Sequence, residues 1–113
     1  NDRRQMELML ALAQMGQVDP AMEIANRLAA GPRIDTELRM DLARCYTICS
    51  RALPEKEKER AQTLQVKAME SLRAALKEGY RDRAYLEGEP DFIPLRGRDD
   101  FKALIGEIAG LKS

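Results

Sequence analysis

Cys45 and Cys49 stand four residues apart, so a helix would carry both thiols on one face. A zinc site needs about four ligands drawn from Cys, His and carboxylate. This chain has no His and no further Cys, so the pair reads as small core residues. The missing His also removes the Ser–His and Cys–His couples of nucleophilic catalysis. No Gly-x-x-x-x-Gly-Lys loop and no dinucleotide fingerprint occurs. Asp and Glu total 19, but 19 bases are interspersed with them. Acid–base chemistry needs a carboxyl held in a cleft with a raised pKa. Arg81 with Arg83, and Arg96 with Arg98, have the chemistry to grip phosphate, yet acids flank both pairs and a solvated surface is the expected role. Neither a catalytic site nor a cofactor is expected.

Helices must position whatever side chains function. Aromatics make up only 4% of the 113 residues and Trp is absent, so the core has to be built from Leu, Ala, Ile and Met. The first predicted helix runs from Arg3 to Met15, with Leu8, Leu12 and Met15 facing its neighbour and Gly16 closing it. Asp19-Pro20 reads as an N-cap and first helical residue, followed by the apolar face Ala21, Ile24, Ala25 and Leu28. Gly31-Pro32 ends that helix. A third starts near Asp35, with Leu38, Leu42, Cys45, Cys49 and Leu53 in one stripe and Tyr46 at its margin. After Pro54, a fourth runs from about Glu55 to Glu78, burying Ala61, Leu64, Ala68, Leu72, Ala75 and Leu76, and Gly79 stops it. Residues 80–98 read as irregular apart from one or two turns near Asp82–Leu86. Asp99 then caps a last helix carrying Phe101, Leu104, Ile105, Ile108 and Leu111. The expected helix content is about 65–75%, with no sheet.

Charge is balanced overall and in each half: residues 1–53 hold seven of each sign and residues 54–113 twelve. No basic field is therefore on offer to nucleic acid or to an anionic membrane. No run approaches the ~20 apolar residues of a membrane span, and a cytoplasmic setting is expected. The sequence opens on Asn1 without an initiator Met, as a piece of a longer protein would. On the first helix, Met6, Met9, Leu10 and Ala13 form a second apolar face. It is expected to be an interface, with upstream sequence in the parent or with another copy in the isolated chain.

Helix pairs joined by short turns invite a search for repeats. Residues 5–32 resemble a tetratricopeptide repeat: Leu8 and Leu12 match helix-A positions, Gly16 the turn, and Ala21, Ala25 and Leu28 helix B. Residues 36–79 resemble a second repeat. Leu42, Ala43 and Tyr46 stand for Leu-Gly-x-x-Tyr, Ala68, Leu72 and Ala75 for helix B, and about 13 inserted residues for longer helix tips. Gly79-Tyr80-Arg81-Asp82, Glu89-Pro90-Asp91-Phe92-Ile93-Pro94-Leu95-Arg96 and Asp99-Asp100-Phe101 resemble a segment that closes such arrays in large bacterial proteins, especially at the C-terminus of serine/threonine kinases.

The resemblance implies an all-α, tetratricopeptide-like solenoid fragment forming one domain, 1–113. It divides into a first helix pair (1–32), an extended second pair (33–79) and a capping segment with its helix (80–113). It also implies a scaffolding or protein-binding role, the alternative being a structural cap or oligomerisation element of a longer array. Partners would be a protein or peptide, upstream repeats of the parent, or a second copy as a homodimer. The family binds peptides on the surface made by its A helices. The corresponding positions include Met6, Leu10, Ala13 and Gln14, then Met40, Asp41, Arg44, Thr47 and Ile48. Arg44 is the one base among them, with Asp41 beside it, which argues against a clamp for a C-terminal carboxylate. Met6, Met9, Leu10, Met40, Arg44 and Ile48 are the candidate partner-binding or array-interface residues.

Overall fold

The computed structural model describes residues 2–112. Helices cover 82% of them and no strand occurs among them. In chain order they are α1 (Asp2–Gln14), α2 (Val18–Ala29), α3 (Thr36–Ala52), α4 (Lys58–Lys77), α5 (Arg83–Gly88) and α6 (Asp99–Lys112). A 3-10 turn, Glu55–Glu57, leads into α4, and a 3-10 segment, Pro90–Leu95, links α5 to α6. The helix content exceeds the expected range because residues 80–98 are mostly helical. The molecule measures 41 × 34 × 20 Å, about two helix diameters in its thin direction.

Helix ends follow local chemistry. Gly16 (φ 78°) and Gly79 (φ 110°) adopt the left-handed conformation that L side chains avoid. Each closes its helix with a Schellman pair of hydrogen bonds: Gln17 N–H to Leu12 O and Gly16 N–H to Ala13 O, then Tyr80 N–H to Ala75 O and Gly79 N–H to Leu76 O. Asp35 caps α3 by accepting from the Leu38 amide at 2.8 Å, and Asp82 caps α5 by accepting from the Tyr85 amide at 3.0 Å. Two predicted caps fall elsewhere. Helix α2 begins at Val18, so Asp19 lies in its first turn and pairs with Arg60 of α4. Asp99 likewise lies inside the first turn of α6, where a negative charge suits the helix dipole.

The chain runs α1 up, α2 down, α3 up, α4 down. Arg3 of α1 pairs with Glu37 of α3, and Ala13 and Gln14 lie beside Ile48, so α1 and α3 are parallel and in register. Helix α3 has 17 residues against 13 in α1, and α4 has 20 against 12 in α2. The second pair is therefore about one turn longer on one arm and two on the other. The longer tip that the sequence implies closes against the first pair. Ala52–Pro54 and Arg60 close against Gly16–Pro20, the turn of the first pair, because the Arg60–Asp19 ion pair joins them.

Helices α3 and α4 approach closely through Ala43, Ala68 and Ala75, which have no accessible surface. Leu64, Met69 and Leu72 of α4 are buried with them. The terminal segment completes this core. Leu86, Phe92, Leu95, Leu104 and Ile108 are at most 1% exposed, and Tyr85 meets Phe92 edge-to-face with ring centres 6.2 Å apart. Phe→Ala at a site this enclosed costs about 3–5 kcal/mol. Denaturant unfolding of Phe92→Ala should show a loss of that size, a large share of the roughly 5–15 kcal/mol available to a small domain. A midpoint equal to the wild type would remove the segment from the core.

Candidate functional site

The structure separates the six candidate residues. Met9 has no exposed surface and Met40 only 8%, so both are core. Met6, Leu10 and Ile48 are half-buried. The face of α1 carrying Met6, Met9, Leu10 and Ala13 turns inward against α2 and α3, and is not the outward interface the sequence suggested. The opposite face is the outward one: Leu8 is 47% and Met15 71% exposed. Both faces of α1 are apolar, so periodicity alone did not fix its rotation.

On α3, the face expected to line a peptide groove is largely occupied by the chain's own Pro90–Leu95 segment. Arg44 donates from Nε to Asp91 Oδ2 at 2.9 Å and from Nη1 to Asp41 Oδ1 at 3.5 Å. Thr47 is fully buried and satisfied by its own helix, donating to Ala43 O at 2.8 Å. Arg44 is thus committed to two carboxylates of its own chain.

An open cleft of about 280 Å³ remains between α1 and α3, beside this segment. Ala13, Ile48 and Ala52 supply its apolar surface, and Gln14, Arg51 and Asp91 its polar rim. Arg51 has no ion pair among the described residues. It stands three residues after Ile48 and shares that side of the helix, the one sequence signal that points to it. Asp91 was legible as part of the closing motif, but nothing in the sequence placed it against α3.

A larger opening, about 670 Å³, lies at the other end of the first pair, among Asp2, Arg3, Arg27, Leu28, Gly31, Pro32 and Arg33. Its arginines are exposed; Arg3 pairs with Glu37 at 3.3 Å and Arg27 with Glu23 at 4.0 Å. It holds no nucleophile–base couple.

Burial and close pairing shift several titratable groups in the interior. The hydrogen bond with Cys49, reinforced by burial, pushes the Cys45 thiol up, and neither thiol is accessible. Burial raises Tyr85 to about 12 and pushes Tyr46 and Tyr80 up as well. Lys67 sits over the Tyr46 ring, 5.8 Å from its centre. Among the described residues no three Cys, Asp or Glu side chains gather where they could hold a metal ion. None of the described helices is long and apolar enough to cross a membrane.

No protein-family model matches the chain, and no curated protein or solved structure matches it at a significant level.

Two carboxyls beside the terminal segment shift in opposite directions. Burial raises Asp41, with Arg44 opposing and Glu37 adding to the rise. Hydrogen bonds from the Arg98 guanidinium, at 2.9 and 3.1 Å, hold Asp100 below the usual range. A raised acid penalises folding once it ionises, and that penalty is absent below the unfolded value of about 3.9. A depressed acid stabilises above the unfolded value and loses that contribution as pH falls through its folded value. Thermal melts between about pH 3 and about pH 7 should show Asp41→Asn gaining on the wild type as pH rises. Asp100→Asn should lose ground over the same interval. Curves parallel to the wild type would mean that neither carboxyl feels its surroundings.

Proposed function

We propose that this chain is a non-catalytic protein-interaction module of a larger bacterial regulatory protein, of the tetratricopeptide kind its sequence resembles. The parent is proposed to be a cytoplasmic serine/threonine kinase, and the module to recruit a protein partner to it. The observation that carries the reading is the cleft between α1 and α3. Two parallel helices offset by 34 residues, the separation of Arg3 and Glu37, form its walls. Tetratricopeptide repeats have this length.

The cleft's size favours a peptide over a small-molecule substrate. Ligand pockets usually run from about 300 to 1,000 Å³ and enclose most of the ligand. At about 280 Å³ and open to solvent, this one fits one or two side chains of a longer chain. Ile48 and Ala13 suit an apolar anchor, and Arg51 suits an acid beside it.

Selection from a displayed random-peptide library tests this. Peptides enriched on the wild type should combine an apolar anchor with a neighbouring Asp or Glu. Arg51→Glu should change the preferred neighbour to Lys or Arg with little change in melting temperature, since Arg51 is exposed, and Ile48→Ala should weaken enrichment. Enrichment indifferent to both substitutions would place binding elsewhere.

A further inference from the structure

Three elements bring one arginine each to the same opening. Arg3 stands in the first turn of α1, Arg27 in the last turn of α2 and Arg33 in the connection to α3. The opening measures about 670 Å³ and lies at the end of the first pair opposite the α1–α3 cleft. Asp2 is the one acid among the described residues that line it, so three guanidiniums stand against one carboxylate.

These arginines are held only weakly by the rest of the chain. All three are exposed. Arg33 forms no ion pair among the described residues. Arg3 meets Glu37 at 3.3 Å and Arg27 meets Glu23 at 4.0 Å, and in both pairs the two side chains are more than half exposed. Solvated pairs of this kind contribute little, so a ligand of higher charge displaces them.

Guanidinium is planar and donates in a fork that matches phosphate oxygens two at a time. A phosphoryl monoester carries close to two negative charges and three acceptor oxygens, whereas a carboxylate has one charge and two oxygens. Arginine clusters are accordingly the usual readers of phosphorylated segments. The rest of the lining narrows the ligand further. Leu28, Gly31 and Pro32 give apolar surface beside the charges. No aromatic side chain is among the described lining residues, so a nucleotide base has nothing to stack on. The balanced charge of the chain offers no wider field to a nucleic acid or an anionic membrane.

We propose that this opening binds a peptide segment carrying phosphoserine or phosphothreonine, with Arg3, Arg27 and Arg33 around the phosphoryl group and Leu28 and Pro32 against the residue beside it. The site is at the other end of the first pair from the α1–α3 cleft, so it stands whether or not that cleft binds peptide.

The probe is a bead-bound peptide library with one fixed phosphothreonine and degenerate flanks. Two twin libraries carry Thr or Glu at the fixed position. The phosphorylated library should retain the wild-type chain about tenfold more strongly than either twin. Arg27→Glu with Arg33→Glu should remove that preference with little change in melting temperature, since both side chains are exposed. Lys56→Glu with Lys102→Glu makes the same change in net charge at exposed positions elsewhere and should leave the preference intact. Equal retention by the phosphorylated and Glu libraries overturns the proposal, because any acidic peptide then suffices. So does loss of the preference in the Lys variant, which makes net charge the cause. Inorganic phosphate that competes as well as the free phosphopeptides also overturns it, because the site is then one for the free anion.

Discussion

Helix α3 is enclosed along most of its length, with only Glu37, Arg51 and Ala52 exposed, and the other elements are arranged around that fact. Four elements converge on it: α1, α2, α4 and the Pro90–Leu95 segment. They fit because its four fully enclosed positions carry small side chains: Ala43, Cys45, Thr47 and Cys49 have no exposed surface. Bulkier residues there would hold one neighbour away and open a gap that the others could not close, since interiors pack near crystal density. This is the use the molecule makes of its two cysteines. They are compact and apolar enough to be fully enclosed, and their i, i+4 spacing keeps them on one side of the helix. Thr47 and Ser50 bring hydroxyls into the same interior at little cost. Each donates to a carbonyl of its own helix, at 2.8 and 2.7 Å, and no buried side-chain polar atom among the described residues lacks a partner.

The terminal segment shows which forces give energy and which give position. Phe92 and Leu95 are fully buried, and each such side chain contributes roughly 1.5–3 kcal/mol. The ion pairs around them are partly exposed and contribute about 0.2–1 kcal/mol each. Arg44 with Asp91, Arg98 with Asp100, and Arg73 with Glu107 at 2.8 Å therefore add little to stability. They do set register. Arg44 fixes where Asp91 lies along α3, and Arg98, which also donates to Gln65 of α4 at 3.2 Å, fixes the start of α6. Apolar burial alone would tolerate sliding by a turn, and charge-assisted hydrogen bonds at both ends of the segment would not.

This division of labour bears on how much was legible in the sequence. Helix stops written in backbone chemistry were readable, because a left-handed glycine acts through its immediate neighbours: Gly16 and Gly79 do what their type implies, whereas the caps expected at Asp19 and Asp99 fall inside their helices. The burial of Phe92, Leu95 and Phe101 was readable too, since large apolar residues are scarce here and have to be covered. The partner of Arg44 was not. Asp41 was in view three residues away, while Asp91 comes from 47 residues further on and is brought in by packing alone. The candidate face on α3 lies against the Pro90–Leu95 segment, which the sequence did not place there.

The rotation of α1 depends on its neighbours in a way its own sequence does not reveal. Met6, Met9, Leu10 and Ala13 cluster on one side, and Leu8, Ala11, Leu12 and Met15 on another roughly 150° away at 100° per residue. Both are wide enough to be a core face. Helix α3 resolves the ambiguity, because it carries the same two stripes, shifted by 34 residues, and buries both. A helix inside a stack needs two apolar sides, one for the element that follows it and one for the element that precedes it. In this structure α1 has only the following elements, α2 and α3, so its inward side is the counterpart of Met40, Ala43 and Thr47. The side left exposed is the counterpart of Leu42, Cys45 and Cys49. Both sides of α1 are therefore apolar, although one of them meets solvent.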